Sequence, residues 1–272
     1  MTLKDKLKGL PRVYYFNNDK TLDEHMDRSL SNLDVMDYSC MQIKYTSENI
    51  SEWKNLILNR SEYKLPVSVA GFSISVLEFL KDWLDVTEQD QDPELIIMRD
   101  TIDWEVAQTD LCYTWDFDWN YIRTRLPYDW DCFQFGFENL HYIPFYLHQI
   151  MPATTFGPSL LNRRYVKKLV RLHCKDGKYD LTGKIANLNF GLKSGTVDYF
   201  IGHTGRTYSI PLITTNDKLT SGENSVTINR IHHTKSRNAY YHWWAKEHKK
   251  FSLDEFFTYG KENDHKMVIS TL

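Results

Sequence analysis

The stretch Glu94-Leu95-Ile96-Ile97-Met98-Arg99-Asp100-Thr101-Ile102-Asp103-Trp104 decides how the rest of the chain is read. Leu95 to Met98 form a short continuous apolar run, which is what a strand buried on both faces of a parallel sheet needs. The run stops abruptly at Arg99, Asp100, Thr101 and Asp103. In open α/β folds ligands bind just beyond the carboxyl ends of the strands, so acids at this point are candidates for a metal or a substrate hydroxyl. An acid there can equally close a solvated loop or cap the next helix.

Upstream of this strand the pattern is strand, polar turn, helix. Val13 to Phe16 is rich in β-branched and aromatic residues and ends at Asn17, Asn18 and Asp19. Thr21 then suits a helix N-cap with Glu24 as its capping-box partner, and Leu22, Met26, Leu30 and Leu33 recur at helical spacing. Met41 to Tyr45 reads as a second strand and Ser47 to Arg60 as an amphipathic helix. The long apolar segment from Val67 to Leu84 is too long for a strand and reads as a buried helix. Its Gly71, Ser73 and Ser75 leave room for a sheet or a ligand to come close.

Downstream, Trp115, Trp119, Ile122 and Leu126 share a face of a helix that ends before Pro127, and Asp131 to Phe135 reads as a strand. Asn162 caps a helix through His173, with Tyr165, Val166, Leu169 and Val170 inward and Arg163, Arg164, Lys167 and Lys168 outward on a solvated basic face. Cys174 to Asn189 is polar and loop-like. Thr207 to Ile213 is a last strand, with Pro211 marking a sheet edge. Ser236 suits the cap of a helix holding Tyr240, Trp243 and Trp244, the tryptophans serving as core or as a sugar platform. There is no internal repeat. We read one domain over residues 1–250 and a C-terminal tail over 251–272.

Composition narrows the partners. The 272 residues carry 42% hydrophobic and 25% charged residues, an ordinary globular balance able to bury a large α/β core. The net charge of -3 gives no overall pull toward nucleic acid, but the charge is uneven. Residues 82–138 hold about fifteen acids against three basic residues, and from Ser159 onward about nineteen basic residues face ten acids. Four cysteines, Cys40, Cys112, Cys132 and Cys174, form no CxxC pair and read as free thiols in a reducing compartment. No apolar run approaches the ~20 residues of a membrane span. The expected localisation is cytoplasmic.

Taken in order, several segments resemble glycosyltransferase family 25, the lipooligosaccharide and procollagen galactosyltransferase group, in the divergent form carried by T4-like cyanobacterial phages. They are Val13-Tyr14-Tyr15-Phe16-Asn17-Asn18-Asp19 with Asp23, Gly71-Phe72-Ser73-Ile74-Ser75-Val76, and the strand ending in Arg99-Asp100-Thr101. Further along come Asp129-Trp130-Asp131-Cys132-Phe133-Gln134-Phe135-Gly136, Thr155-Phe156-Gly157-Pro158 leading to Asn162-Arg163-Arg164-Tyr165, Asp198, and Tyr208-Ser209-Ile210-Pro211-Leu212. His232-His233-Thr234-Lys235-Ser236-Arg237 and the Trp243-Trp244 pair complete the set.

This resemblance implies a GT-A-like, Rossmann-type α/β fold with a mostly parallel central sheet flanked by helices. It implies a UDP- or GDP-sugar donor, a hydroxyl acceptor, inversion at the anomeric carbon, and usually Mn2+ or Mg2+. It assigns donor binding to Asn17, Asp19, Ser75, Arg99, Asp100 and Asp103, the general base to Asp198, and metal binding to Asp100 and His232. The acceptor can be a glycan, a virion protein or a modified base. The chain departs from the family at polar positions: Glu24 stands for an Arg, Val76 for a His, and Arg99-Asp100-Thr101 for Glu-Asp-Asp. Arg99 would repel a metal ion, or replace it by pairing with the diphosphate, giving a metal-independent variant. A second reading is therefore a catalytically impaired sugar- or nucleotide-binding module.

Overall fold

The computed structural model describes residues 2–18, 20–58, 66–88, 91–99, 118–136, 148–149, 157–182 and 196–213. In chain order these form α1 (Leu3–Leu7), β1 (Val13–Asn17), α2 (Lys20–Asn32), β2 (Tyr38–Gln42), α3 (Ile50–Trp53) and α4 (Val67–Val86). There follow β3 (Glu94–Arg99), α5 (Trp119–Arg125), β4 (Cys132–Gly136), β5 (His148–Gln149), β6 (Ser159–Asn162) and α6 (Arg163–His173). A hairpin of β7 (Cys174–Lys175) and β8 (Lys178–Tyr179), then α7 (Val197–His203) and β9 (Thr207–Ile213), complete the set.

The apolar run of β3 lies inside a seven-stranded sheet of order β2-β1-β3-β6-β4-β9-β5. Leu95, Ile96, Ile97 and Met98 are all fully buried, each burial stabilising the fold by about 1.5–3 kcal/mol. β3 is parallel to β1, with Phe16 opposite Arg99, but antiparallel to β6, with Ile96 opposite Leu160. β6 also runs antiparallel to β4, whereas β4 and β9 are parallel. The fold is α/β, and five of the seven strands share one direction.

Alternate residues of each strand face two helical layers, as the pleat requires. Tyr14, Phe16, Leu95, Ile97, Cys132 and Leu161 join one cluster with the apolar residues of α4, α6 and α7. Phe16 packs edge-on against Phe72 and Phe79, at 5.9 and 5.5 Å between ring centroids. On the other face Phe133 and Phe135 meet Trp119 of α5, the latter at 5.3 Å.

Several sequence expectations shift. β2 ends at Gln42, because the next residue, Ile43, gives both its backbone groups to the Asn18 side chain (2.9 and 3.2 Å). α2 begins at Lys20, so Thr21 lies inside it. The helix expected over residues 47–60 is one α-turn followed by the 3-10 turn Lys54–Leu56. Pro211 does not mark an edge: β9 is flanked by β4 and β5, and its register against β4 shifts between Gln134 and Gly136. A bulge of that kind accommodates a residue with no N–H.

The largest correction concerns Arg163. It is only 8% exposed, and its guanidinium donates to the carbonyls of Leu84 (3.0 Å), Thr87 (2.5 Å) and Asp92 (3.3 Å) and to Thr87 Oγ1 (2.7 Å). It also lies 4.7 Å over the Trp83 ring. A cation there satisfies carbonyls that the end of a helix leaves unpaired and meets the negative end of the α4 dipole.

Candidate functional site

Because β1, β2, β3, β4 and β9 run one way, Asn17, Gln42, Arg99, Gly136 and Ile213 end at one edge of the sheet. The chain passes from β1 to a neighbour on one side, β2, and then to the neighbour on the other side, β3. That reversal is the topological switch point, where open α/β sheets place their crevice. Phe16 is level with Arg99, so Asn17 reaches one residue further along the same edge.

β1 delivers its polar groups here with defined tasks. Asn17 is 1% exposed. Asn18, read only as part of the turn after β1, clamps Ile43 and so carries the strand pairing past the end of β2. Asp23 accepts the Tyr15 hydroxyl. Burial and that bond raise the Tyr15 phenol well above its ordinary value, so Asp23 anchors α2 to β1.

α4 brings the small-residue segment to the same edge, since it follows β2 and runs back toward the start of β3. Ser75 is buried; its hydroxyl donates to the Gly71 carbonyl (2.9 Å) and accepts the Tyr45 N–H (3.4 Å). Its placement thus holds the chain leaving β2. Gly71 makes that approach possible, because a Cβ there would lie 2.0 Å from the Tyr45 carbonyl oxygen. The Tyr45 hydroxyl donates to Glu78 (3.1 Å); burial first, and Glu78 next, push its phenol up to about 12. Val76 is fully buried in the apolar cluster.

Asp198 lies in the first turn of α7. The cap of that helix is Thr196, whose hydroxyl accepts the Tyr199 N–H (3.3 Å), so Asp198 is not the N-cap. Ser73 on α4 accepts the Val197 N–H (3.1 Å) and fixes this helix end. α7 runs back toward the start of β9, so its first turn faces the carboxyl edge of the sheet.

Beneath the edge lies a buried polar layer that the sequence reading missed. Gln134 (β4), Ser159 (β6) and Ser209 (β9) are paired in register, and the Ser209 hydroxyl donates to Gln134 Oε1 (3.3 Å). All three are buried. The signal was a glutamine at an inward position of Cys132-Phe133-Gln134-Phe135, which an apolar core alone does not call for. Asp19, Asp100, Asp103 and His232 lie outside the described residues, and only the backbones of Arg99 and Asp198 are described. Among the described residues no group of three or more His, Cys, Asp or Glu side chains is placed to hold a metal ion.

Asn17 and Arg99 end beside each other at the switch point, and Asp198 stands in the first turn of α7, which packs against α4 and β4. No protein-family model and no curated protein matches the sequence. Among solved structures, the crystal structure of A197 from STIV is similar at 10% identity and a TM-score of 0.38, covering 75% of this chain and 83% of that one.

Proposed function

We propose that this chain binds a UDP- or GDP-sugar at the carboxyl edge of its sheet, in a GT-A-like fold, and transfers the sugar with inversion to a hydroxyl acceptor. The observation that carries the reading is the strand-order reversal at β1 and β3, with Asn17 and Arg99 ending side by side. The ordered resemblance to glycosyltransferase family 25 supports it from the sequence.

In the proposed step the acceptor hydroxyl gives its proton to the Asp198 carboxylate. Its oxygen forms a bond to the anomeric carbon as the bond to the diphosphate oxygen breaks, and the leaving diphosphate keeps the electron pair. Arg99 answers the charge that develops there, the task of a preorganised cation in such a site. Asp100 and Asp103 hold donor hydroxyls, and Asp100 with His232 would hold Mn2+ or Mg2+ if a metal is used.

A second reading, a donor-binding module without transfer, is favoured by Val76, which is core rather than site, and by the exposed Glu24. Thermal shift against UDP- and GDP-sugars, with and without Mn2+, separates the cases. A donor raises the folding stability by RT ln(1 + [L]/Kd), and the midpoint with it, and slow release of free sugar accompanies it in an enzyme. Binding without sugar release favours the module; no response to any nucleotide overturns both.

A further inference from the structure

The opposite, amino-terminal edge of the sheet carries a second surface that the proposed transfer does not use. A groove of about 560 Å³ is lined by Arg164, Lys167, Lys168, Arg171 and Arg206, with Asp129 and Asp131 at its floor. Four of these cations stand at positions 164, 167, 168 and 171 of α6, the spacing that puts side chains on one helix face. The two acids are engaged: Asp131 pairs with Arg164 (2.9 Å) and Asp129 with Arg206 (2.7 Å). Asp129 also accepts the Tyr208 hydroxyl (2.9 Å), and Asp131 the Arg206 N–H (3.1 Å). Lys168 reaches the Thr204 carbonyl (2.6 Å). Among the described residues Lys167 and Arg171 have no acidic partner, and both are exposed. The groove therefore carries a local positive excess that the net charge of -3 conceals.

A second groove of about 580 Å³ continues from the first through Arg164, which lines both. Its walls include Tyr128 and Trp130. Tyr128 is 98% exposed, an unusual position for an aromatic ring. Arg164 donates to the Trp130 carbonyl (3.3 Å), so the aromatic wall and the cationic helix are held in one piece.

We propose that this continuous surface binds single-stranded nucleic acid, the backbone along the α6 cations and an unpaired base on Tyr128. A cationic track beside an exposed aromatic platform is the combination that recognises unpaired nucleotides, whereas a duplex or an anionic glycan offers no free base face. The surface lies at the other end of the strands from the proposed donor crevice, so its test is independent of the transfer reaction.

The test is fluorescence anisotropy of the full chain with a labelled oligothymidylate of about 16 nucleotides, the matching duplex, and inorganic polyphosphate. With three uncapped or lightly engaged cations, log K should fall with log salt at a slope of roughly -2. The double variant Lys167→Glu, Arg171→Glu, on an exposed face, should weaken oligothymidylate binding at least about tenfold. Tyr128→Ala should weaken it by about 5- to 150-fold and leave polyphosphate binding unchanged. The proposal is overturned by no saturable binding at about 50 mM salt. It is overturned equally by duplex or polyphosphate binding as tight as the single strand, or by a Tyr128→Ala variant that binds like the parent.

Discussion

Replacing Arg163 by methionine tests the packing account most sharply. The guanidinium makes four hydrogen bonds, at 2.5 to 3.3 Å, and no carboxylate pairs with it among the described residues. Hydrogen bonds from a charged donor contribute about 1.5–3 kcal/mol each, so four contribute at least about 6 kcal/mol. Removing the charge also recovers a desolvation penalty of several kcal/mol. The net loss expected for Arg163→Met is about 3 kcal/mol, because the part-buried carbonyls of Leu84, Thr87 and Asp92 lose this donor. At roughly 2–4 °C per kcal/mol for a chain of this size, Tm should fall by about 6–12 °C. Arg163→Lys should recover less than half of this, since a compact ammonium cannot span the same fork. Urea unfolding at low and high salt is the assay, and the loss should persist at high salt because no ion pair is involved. A loss below about 0.5 kcal/mol, as an exposed basic face would give, refutes the reasoning.

Gly71→Ala should destabilise the fold by about 1–3 kcal/mol despite the better helix propensity of alanine, because its Cβ would meet the Tyr45 carbonyl oxygen at 2.0 Å. An unchanged or raised urea midpoint contradicts the close approach. His173 donates its Nδ1–H to the Asp180 carbonyl (2.8 Å), and burial holds its pKa below the ordinary 6.5. Its folded value is depressed, so its contribution is complete above about pH 6.5 and is lost as pH falls below that, at up to about 1.4 kcal/mol per pH unit. Unfolding midpoints between pH 5 and 7.5 should show this slope, and His173→Gln should flatten it.

Much of the frame was legible locally. The run Leu95 to Met98 and the long apolar segment after Pro66 have lengths that permit one kind of element each, and β3 and α4 stand where they were expected. Asn162 caps α6 as its side chain and spacing indicate, accepting the Tyr165 N–H at 2.8 Å. The antiparallel insertion of β6 was not legible, because pairing across the sheet depends on partners far away in the chain and leaves no mark on four residues. The β7–β8 hairpin did leave a mark: Asp176-Gly177 is the two-residue turn that needs positive φ, here 50° and 73°. The surrounding polarity of Cys174 to Asn189 masked it.

Arg163 misled for a physical reason. Its place among Arg164, Lys167 and Lys168 reads as a charged face, and only the end of α4, packed against it from 76 residues earlier, makes it a core cation. The carboxyl edge and the places of Asn17 on β1 and Ser75 on α4 followed from element order, whereas α7, which carries Asp198, was not read from the sequence. The buried layer of Gln134, Ser159 and Ser209 did not, since it joins three strands distant in sequence.

The proposed transfer requires an anionic sugar donor at the β1–β3 switch point, against Arg99. Isothermal titration of a nucleoside diphosphate into the parent chain and into Arg99→Ala tests it most directly. Saturable binding by the parent is expected, with a loss of at least about tenfold in the variant, the cost of one bidentate phosphate contact. Equal affinity in the two proteins, or no binding by either, would contradict it.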